Sequence, residues 1–308
     1  MIFLELMYLY FIEILKSVIL GIIEGITEWL PISSTGHMIL TDELIQLNQT
    51  TEFKDMFFVV IQLGAILSVI IMFWKKLWPF HLKSTIASPV FTAKDGKKLG
   101  TFKTLCNNYV YGDIFILWFK ILLASLPAAI LGILYDEQID AMLTGDFRAF
   151  VVAGALIVYG VLFIIIESLH KKEKINSLGD LSFKTALFIG LIQCLALVPG
   201  TSRSGSTILG AVLLGLSRTA AAEFSFFLSV PAMVGGSAIK VLQYFSDGNS
   251  LNIQQIGILL VGMAVAFVIS VLAIKFLLSY IKKHDFKAFG YYRIALGLIV
   301  IAYFVFNK

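Results

Sequence analysis

Reactive side chains are concentrated in two short polar stretches of a chain that is otherwise strongly apolar. The first stretch holds Glu24 and Glu28, followed by Ser33, Ser34 and His37. Glu24 and Glu28 are four residues apart and therefore share one face of a helix. Carboxylates and a histidine beside hydroxyls can move protons, and Ser34, with Ser33 as its rival, is a candidate nucleophile. The alternative is that the two glutamates form a structural pair that caps the segment or lies at the outer interface.

The second stretch contains a single charge, Arg203, in an otherwise uncharged segment from Gly190 to Ser217. An arginine presents a planar fork that binds two phosphate oxygens at once. A loop rich in glycine and serine that opens a helix is an anion-binding nest even without the arginine. The segment therefore predicts a phosphate site. The alternative is that Arg203 pairs internally with Glu24 or Glu28 as a structural bridge.

Together, the two stretches predict phosphoryl transfer, in which positioning and charge stabilisation supply most of the catalysis. We expect the catalytic residues to be Glu24, Glu28, Ser34, His37 and Arg203. Phosphate binding is expected at Ser33, Thr35, Gly36, Ser202, Ser204, Gly205 and Thr207. Two carboxylates on one helix face could also attract a divalent cation. In a cleft open to lipid, the natural substrate is an amphiphile whose phosphate reaches the polar centre.

The composition excludes a water-soluble globule, because 58% of the 308 residues are hydrophobic and only 14% are charged. A soluble domain carries roughly 25% charged residues. The net charge of +4 is small and its basic residues lie beside apolar runs, which argues against a nucleic-acid binder. Cys106 and Cys194 form no disulfide framework and no CxxC motif. The chain is therefore expected to be a polytopic membrane protein.

Stretches of roughly 17–25 apolar residues cross a bilayer as helices. They predict six spans, at 57–74, 114–134, 149–168, 224–244, 253–281 and 291–306. Lysine-rich loops mark the cytoplasmic side, which places three loops inside and two outside. The inside loops are 75–113, 169–184 and 282–290, and the outside loops are 135–148 and 245–252. Because each span changes the side of the membrane, 9–47 and 184–216 must each enter and leave the membrane on the same side. They are therefore predicted to be re-entrant hairpins, each made of two half-length helices. The two hairpins enter from opposite faces of the membrane.

An internal repeat accompanies this topology. A shift of 169 residues aligns Gly21 with Gly190, Glu24 with Gln193 and Ser33 with Ser202. It predicts an inverted-topology repeat within a single integral membrane domain of all-α fold class, with the first copy at 1–168 and the second at 184–308. Inverted repeats with broken helices place their site where the two hairpins meet, near the membrane midplane. The site is therefore expected to combine residues 24–37 and 199–207.

Two long motifs carry a family resemblance that extends over essentially the whole chain. The motifs are Glu24-Gly25-Ile26-Thr27-Glu28 with Pro31-Ile32-Ser33-Ser34-Thr35-Gly36-His37, and Pro199-Gly200-Thr201-Ser202-Arg203-Ser204-Gly205-Ser206-Thr207. They closely resemble the signature motifs of the undecaprenyl-diphosphate phosphatase family of bacterial bacitracin-resistance proteins. The likeness extends to Gln62-Leu63-Gly64-Ala65, Ala222-Glu223-Phe224-Ser225-Phe226 and Tyr292-Arg293.

The resemblance implies hydrolysis of undecaprenyl diphosphate to the monophosphate that peptidoglycan synthesis reuses, with bacitracin resistance as a result. By position, it assigns the glutamate pair to Glu24 and Glu28, the serine and histidine to Ser34 and His37, and the phosphate-binding arginine to Arg203. It also implies a divalent cation, magnesium or calcium, at Glu24 and Glu28, and no organic cofactor is expected. The implied partners are a long-chain polyprenyl diphosphate lipid and the bilayer. A homodimer is one candidate assembly, and no nucleic-acid partner is expected.

The implied location is the bacterial plasma (inner) membrane, with the site open toward the outer face. Whether Ser34 or a water attacks phosphorus stays open. A secondary transporter or lipid flippase is the main alternative, since inverted repeats are typical of carriers. The acid-phosphatase type of lipid phosphatase uses two histidines and is disfavoured, because His37 is the only histidine in the two hairpins. No cleavable signal peptide is expected, since the first residues lack a basic region and a small-residue cleavage site.

Overall fold

The computed structural model describes residues 2–80, 109–145, 147–169 and 173–306. These residues form twelve α-helices and two short 3₁₀ helices, Leu178–Asp180 and Cys194–Leu197. The α-helices are α1 (Ile2–Thr27), α2 (Ser34–Leu44), α3 (Thr51–Met72), α4 (Trp74–Leu77), α5 (Gly112–Leu134), α6 (Asp136–Thr144), α7 (Arg148–Ser168), α8 (Phe183–Gln193), α9 (Arg203–Leu213), α10 (Arg218–Ser246), α11 (Ile253–Tyr280) and α12 (Lys287–Phe306).

Six of these helices, α3, α5, α7, α10, α11 and α12, are long and apolar enough to cross a membrane. They coincide with the six predicted spans, which confirms that part of the fold prediction. The largest differences are at the starts of α3 and α10, which begin six residues before the predicted 57 and 224. Helix α10 starts at Arg218 because the Ser217 side chain accepts a hydrogen bond from the Ala220 amide. Most of the lysines in the predicted loops 75–113 and 169–184 lie outside the described residues, at 81–108 and 170–172.

Both polar stretches interrupt helices, as the sequence predicts. Helices α8 and α9 have 11 residues each, and α2 also has 11 residues. Helix α1 does not have the predicted half length, because it starts at residue 2 rather than 9 and has 26 residues. Its N-terminal part contains no helix-breaking residue, and it exposes apolar side chains such as Leu4, Met7 and Phe11. The helix therefore includes residues 2–8, which precede the predicted hairpin.

The long helices pack in pairs around the two broken segments. Helix α1 packs against α11, α8 packs against α5, and α7 packs against α12. Two glycines permit close contact between helices: an added Cβ at Gly21 would lie 2.7 Å from the carbonyl oxygen of Gly262, and one at Gly190 would clash with the backbone of Ala124. Small residues of this kind are typical of helix contacts in membranes. The close packing anchors the helices that carry the two polar stretches.

Candidate active site

Two serines in the same unusual backbone conformation start the short helices at the site. Ser33 has φ 74° and Ser202 has φ 70°, in the left-handed region that residues other than glycine rarely adopt. Each serine accepts a hydrogen bond from the amide three residues later, Gly36 at 3.3 Å and Gly205 at 3.1 Å. Backbone strain of this type is found most often at functional sites. The two turns therefore mark the starts of α2 and α9 as a candidate functional site.

Arg203 and Glu28 form a buried ion pair between the two polar stretches. Nη2 of Arg203 lies 3.0 Å from Oε1 of Glu28, and Nη1 donates to the Ser225 carbonyl at 3.0 Å. The two side chains of the pair are only 15% and 9% exposed. The sequence left open whether Arg203 contacts a glutamate, and the structure pairs it with Glu28. The Nε–H of Arg203 has no hydrogen-bond partner among the described residues.

Glu28 also accepts a hydrogen bond from the candidate nucleophile. The Ser34 hydroxyl donates to Oε2 of Glu28 at 3.1 Å, so the two carboxylate oxygens contact Ser34 and Arg203 separately. The hydroxyl of Ser204 donates to the backbone carbonyl of Glu28 at 3.0 Å and fixes this part of the chain. A carboxylate in this position can take the serine proton while an arginine stabilises negative charge nearby.

These groups line one cavity of about 240 Å³ between the two polar stretches and helices α3 and α10. Its polar wall contains Glu28, Ser34, Thr35, Gln62, Ser202 and Arg203. Its less polar wall contains Val59, Ala196, Pro199, Gly200, Ala232, Met233 and Gly236. The cavity therefore combines hydrogen-bond donors that could bind phosphate with an apolar surface, which suits the head of an amphiphile.

Two of the predicted catalytic residues do not line this cavity. Glu24 is buried at 2% exposure, and its Oε1 has no hydrogen-bond partner among the described residues. His37 forms hydrogen bonds of 2.7 Å through Nδ1 with the Ser33 carbonyl and through Nε2 with the Tyr292 hydroxyl. Its ring also stacks on the ring of Tyr292, with centroids 5.6 Å apart. In this arrangement, Glu28 is the only one of the three predicted bases that contacts Ser34.

The predicted phosphate-binding residues divide into two groups. Thr35 and Ser202 line the cavity. The polar groups of the others make internal hydrogen bonds: Ser33 with Gly36 and Ser202 with Gly205 in the two helix caps, Ser204 with Glu28, and Thr207 with the carbonyl of Arg203. The second group therefore shapes the turns from behind the cavity wall.

Two polar residues at the site were not among the predicted site residues. Gln62 on α3 lines the cavity, and Arg293 on α12 is fully buried against both polar stretches. Gln62 and Arg293 both belong to segments that carry the family resemblance. The sequence also indicates Arg293 in a second way, because an ionisable residue inside a predicted span, here 291–306, is a functional candidate by default.

Glu24 and Glu28 are the carboxylates at the site that could hold a metal ion. Among the described residues, no group of three or more His, Cys, Asp or Glu side chains is arranged to hold one. Magnesium, however, keeps several waters and is often held by one or two carboxylates together with substrate phosphates. The unpartnered Oε1 of Glu24 is a buried acceptor that fits such an ion.

Six apolar helices and a buried cavity with an ion pair and hydroxyls define a multi-pass helical membrane protein with a polar site suited to an anionic head group. The chain belongs to the family described as bacitracin resistance protein BacA, which matches residues 17–299. This match confirms the resemblance carried by the two motifs.

Relatives of known name match almost the full length of the chain. A protein of Enterococcus faecalis named undecaprenyl-diphosphatase is 54% identical over 297 residues, which are 96% of this chain and 98% of that protein. Proteins of the same name from Acetivibrio thermocellus and Desulfitobacterium hafniense are 49% and 48% identical. The alignments cover 96% and 95% of this chain, and 98% and 96% of those proteins.

Proposed function

We propose that this protein is a membrane phosphatase that hydrolyses undecaprenyl diphosphate to undecaprenyl phosphate and phosphate. The observation that carries the proposal is the contact of one carboxylate, Glu28, with both the Ser34 hydroxyl and the Arg203 guanidinium at the wall of one cavity. The family match and the name of the relatives supply the substrate. Such an enzyme returns the lipid carrier to peptidoglycan synthesis and explains resistance to bacitracin.

Substrate binding is assigned to the polar wall of the cavity. The terminal phosphate competes with Glu28 for the guanidinium of Arg203, whose Nε–H is a further free donor. The hydroxyls of Ser202 and Thr35 line the same wall and can donate to phosphate oxygens. The polyprenyl chain leaves the cavity along the wall that contains Val59, Met233 and other apolar residues.

The chemical step begins with Ser34. Its oxygen attacks the terminal phosphorus, its proton passes to Glu28, and the bridging P–O bond breaks with undecaprenyl phosphate as the leaving group. Water then attacks the phosphoserine, and phosphate is released while Ser34 regains a proton. The hydrogen bond of 3.1 Å from Ser34 to Glu28 supports this direction of proton transfer. His37 faces Tyr292 instead, so its predicted catalytic role has no counterpart in this step.

A water nucleophile is the alternative to Ser34, and two measurements separate them. A phosphoserine at position 34, trapped by acid quench and found by mass spectrometry, would support the serine route. Ser34→Ala should then lose phosphate release. If Ser34→Ala retained activity in oxygen-18 water, with label in the released phosphate, the serine route would be refuted. Ser125→Ala is a control, since the Ser125 hydroxyl donates only to the Ile121 carbonyl within its own helix.

We also propose a divalent cation, magnesium or calcium, beside Glu24 and Glu28. The buried, unpartnered Oε1 of Glu24 supports this proposal. When bound, the ion would neutralise charge on the diphosphate. In a titration with Mg²⁺, Glu24→Gln should need a higher concentration for half-maximal phosphate release than the wild type. Equal half-maximal concentrations in the two proteins would contradict the assignment.

The inverted repeat with two re-entrant hairpins is part of the proposal. Three observations support it at the predicted shift of 169 residues: helices α2 and α9 have equal length, Ser33 and Ser202 are equivalent caps, and Gly21 and Gly190 are equivalent contact points. Helix α1 packs on α11 while α8 packs on α5, which is the exchange that a two-fold relation between copies requires. The copies would then be residues 1–168 and 184–308.

The location proposed is the plasma membrane of a bacterium, with the cavity open to the outer face. Lys75 and Lys76 after α3, Lys282 and Lys283 between α11 and α12, and Lys287 at the start of α12 support an inside position for these helix ends. Cysteines introduced at Gly248 and Lys283 in a cysteine-free background test the topology. A membrane-impermeant maleimide should label the first and not the second in intact cells. A homodimer stays a prediction that light scattering in detergent can test.

A transporter or flippase is the competing function, and one assay separates the two. The purified protein in detergent, where no second compartment exists, should release phosphate from undecaprenyl diphosphate. Absence of release under conditions in which the Enterococcus faecalis relative is active would refute the phosphatase proposal. Substrate binding without release would favour a carrier.

A further inference from the structure

Arg293 is the most deeply buried charged side chain near the site, and it contacts both polar stretches. It lies on α12 with 0% exposure. Its Nη1 donates to the Pro31 carbonyl at 3.2 Å, in the first stretch. Its Nη2 donates to the carbonyls of Gly200 and Thr201 at 2.8 and 2.9 Å, in the second stretch. One guanidinium thus connects two segments that are about 170 residues apart in the chain.

The surroundings of Arg293 provide hydrogen-bond acceptors for Nη1 and Nη2, but among the described residues they provide none for Nε–H and no counter-charge. Within the ranges that the structure describes, it forms no ion pair. Its guanidinium lies over the ring of Tyr159, 5.3 Å from the centroid, and the Tyr159 hydroxyl accepts a hydrogen bond from Ser206 on α9. A buried charge without a counter-charge is costly. An arginine in this position therefore points to a gain in function that offsets its cost in stability.

We propose that Arg293 is a positioning residue that holds the two polar stretches at the spacing the reaction needs. The inference rests on the proposed phosphatase function. The carbonyl of Pro31 is three residues before Ser34, and the carbonyl of Thr201 is two residues before Arg203. The planar fork of arginine reaches both stretches at once. Arg293 thus sets the distance between the nucleophile with its base and the group that binds phosphate.

Kinetics of Arg293→Lys and Arg293→Met test this role. A misplacement of about 1 Å can cost roughly 100-fold in rate, so kcat should fall about 30-fold or more in both variants, with KM changed less than about threefold. Lysine retains the charge but has a single ammonium group, which should not hold both stretches. A kcat within threefold of wild type in Arg293→Lys would overturn the proposal. A rise in KM at unchanged kcat would also overturn it, since it would mean direct phosphate binding.

Arg218→Met is the matched control, because Arg218 joins α10 to Glu167 on α7 and does not contact either polar stretch. It should lower the unfolding temperature without a loss of kcat. If Arg293→Met does not fold, Arg293→Lys carries the kinetic test alone.

Hydrogen exchange gives a readout that is independent of activity. In Arg293→Lys, amides at 32–36 and 200–206 should exchange faster than in wild type, while amides in α11 should not. Unchanged exchange in both stretches would refute the positioning role even if the wild-type protein released no phosphate. Failure of the phosphatase proposal is therefore distinguishable from failure of this one.

Discussion

Arg203 and Glu28 are 175 residues apart in the chain, yet Nη2 of Arg203 lies 3.0 Å from Oε1 of Glu28. The pair joins the proposed phosphate-binding group of the second polar stretch to the proposed base of the first. Because Glu28 also accepts the Ser34 hydrogen bond, its side chain contacts both the proposed nucleophile and Arg203. Its removal should therefore affect proton transfer and the orientation of Arg203 together.

The first prediction concerns Glu28→Gln. An amide keeps the shape of the side chain but cannot accept the serine proton, so phosphate release should fall roughly 100- to 10,000-fold. Glu43→Gln is the control, since Glu43 forms a more exposed pair with Arg148 at 3.3 Å and such pairs contribute little. The measurement is phosphate released per minute by each purified variant. Undiminished release in Glu28→Gln would refute the assignment of the base.

The second prediction concerns Arg203→Lys. Lysine keeps the charge but loses the fork that can contact two phosphate oxygens, and hydrogen bonds to charged groups are worth about 1.5–3 kcal/mol. We therefore expect kcat/KM to fall roughly 10- to 100-fold, with most of the loss in KM. Arg148→Lys is the control and should retain wild-type kinetics. If Arg203→Lys had an unchanged KM, Arg203 would not be the main phosphate ligand.

The sequence was sufficient to predict the six spans, because a helix that crosses lipid requires a long apolar run and the chain has few charges to interrupt one. The presence of Glu28, Ser34 and Arg203 at one cavity was predictable from the two broken apolar segments, because polar groups inside such segments have few structural uses. The pairing of Arg203 with Glu28, and not Glu24, was not predictable. Both glutamates share a helix face, and only the tertiary packing decides which one meets the arginine.

Other features depended on contacts that spacing does not reveal. His37 forms a hydrogen bond with Tyr292, 255 residues away in the chain, and its spacing from Glu28 does not reveal this contact. Arg293 lies near the start of a predicted span, where a basic residue usually anchors a helix at the membrane surface. Arg293 is buried because both polar stretches contact it on α12, and their backbone carbonyls accept its hydrogen bonds. The hydrogen bonds of Ser33 with the Gly36 amide and of Ser204 with the Glu28 carbonyl likewise depend on the conformation of the two turns.

A third prediction concerns stability at the contact of α3 with α11. An added Cβ at Gly64 would overlap the backbone of Met263, so Gly64→Ala forces the two helices apart. Overpacking of this kind costs about 1–3 kcal/mol, and the unfolding temperature in detergent should fall by several degrees. Gly154→Ala is the control, because no atom lies within 4 Å of an added Cβ at that position. An equal unfolding temperature for Gly64→Ala and wild type would show that this contact is not close.

The fourth prediction tests the path of the hydrocarbon chain along the apolar wall of the cavity. Gly235 and Gly236 are neighbours on α10, and an added Cβ at either would meet no atom within 4 Å. Only Gly236 lines the cavity, so Gly235→Leu is a control with the same change in helix propensity and side-chain size. A leucine at 236 occupies the space assigned to the first isoprene units.

We therefore expect Gly236→Leu to lower kcat/KM for undecaprenyl diphosphate roughly tenfold or more, since one or a few methylenes in a pocket change discrimination by about 1–3 kcal/mol. Gly235→Leu should retain the wild-type value. Inorganic pyrophosphate, which has no hydrocarbon chain, should bind Gly236→Leu and wild type equally well as a competitor, because the polar wall is unchanged. Equal losses in the two leucine variants would place the chain elsewhere, and a loss of pyrophosphate binding would mean that position 236 contacts the head group instead.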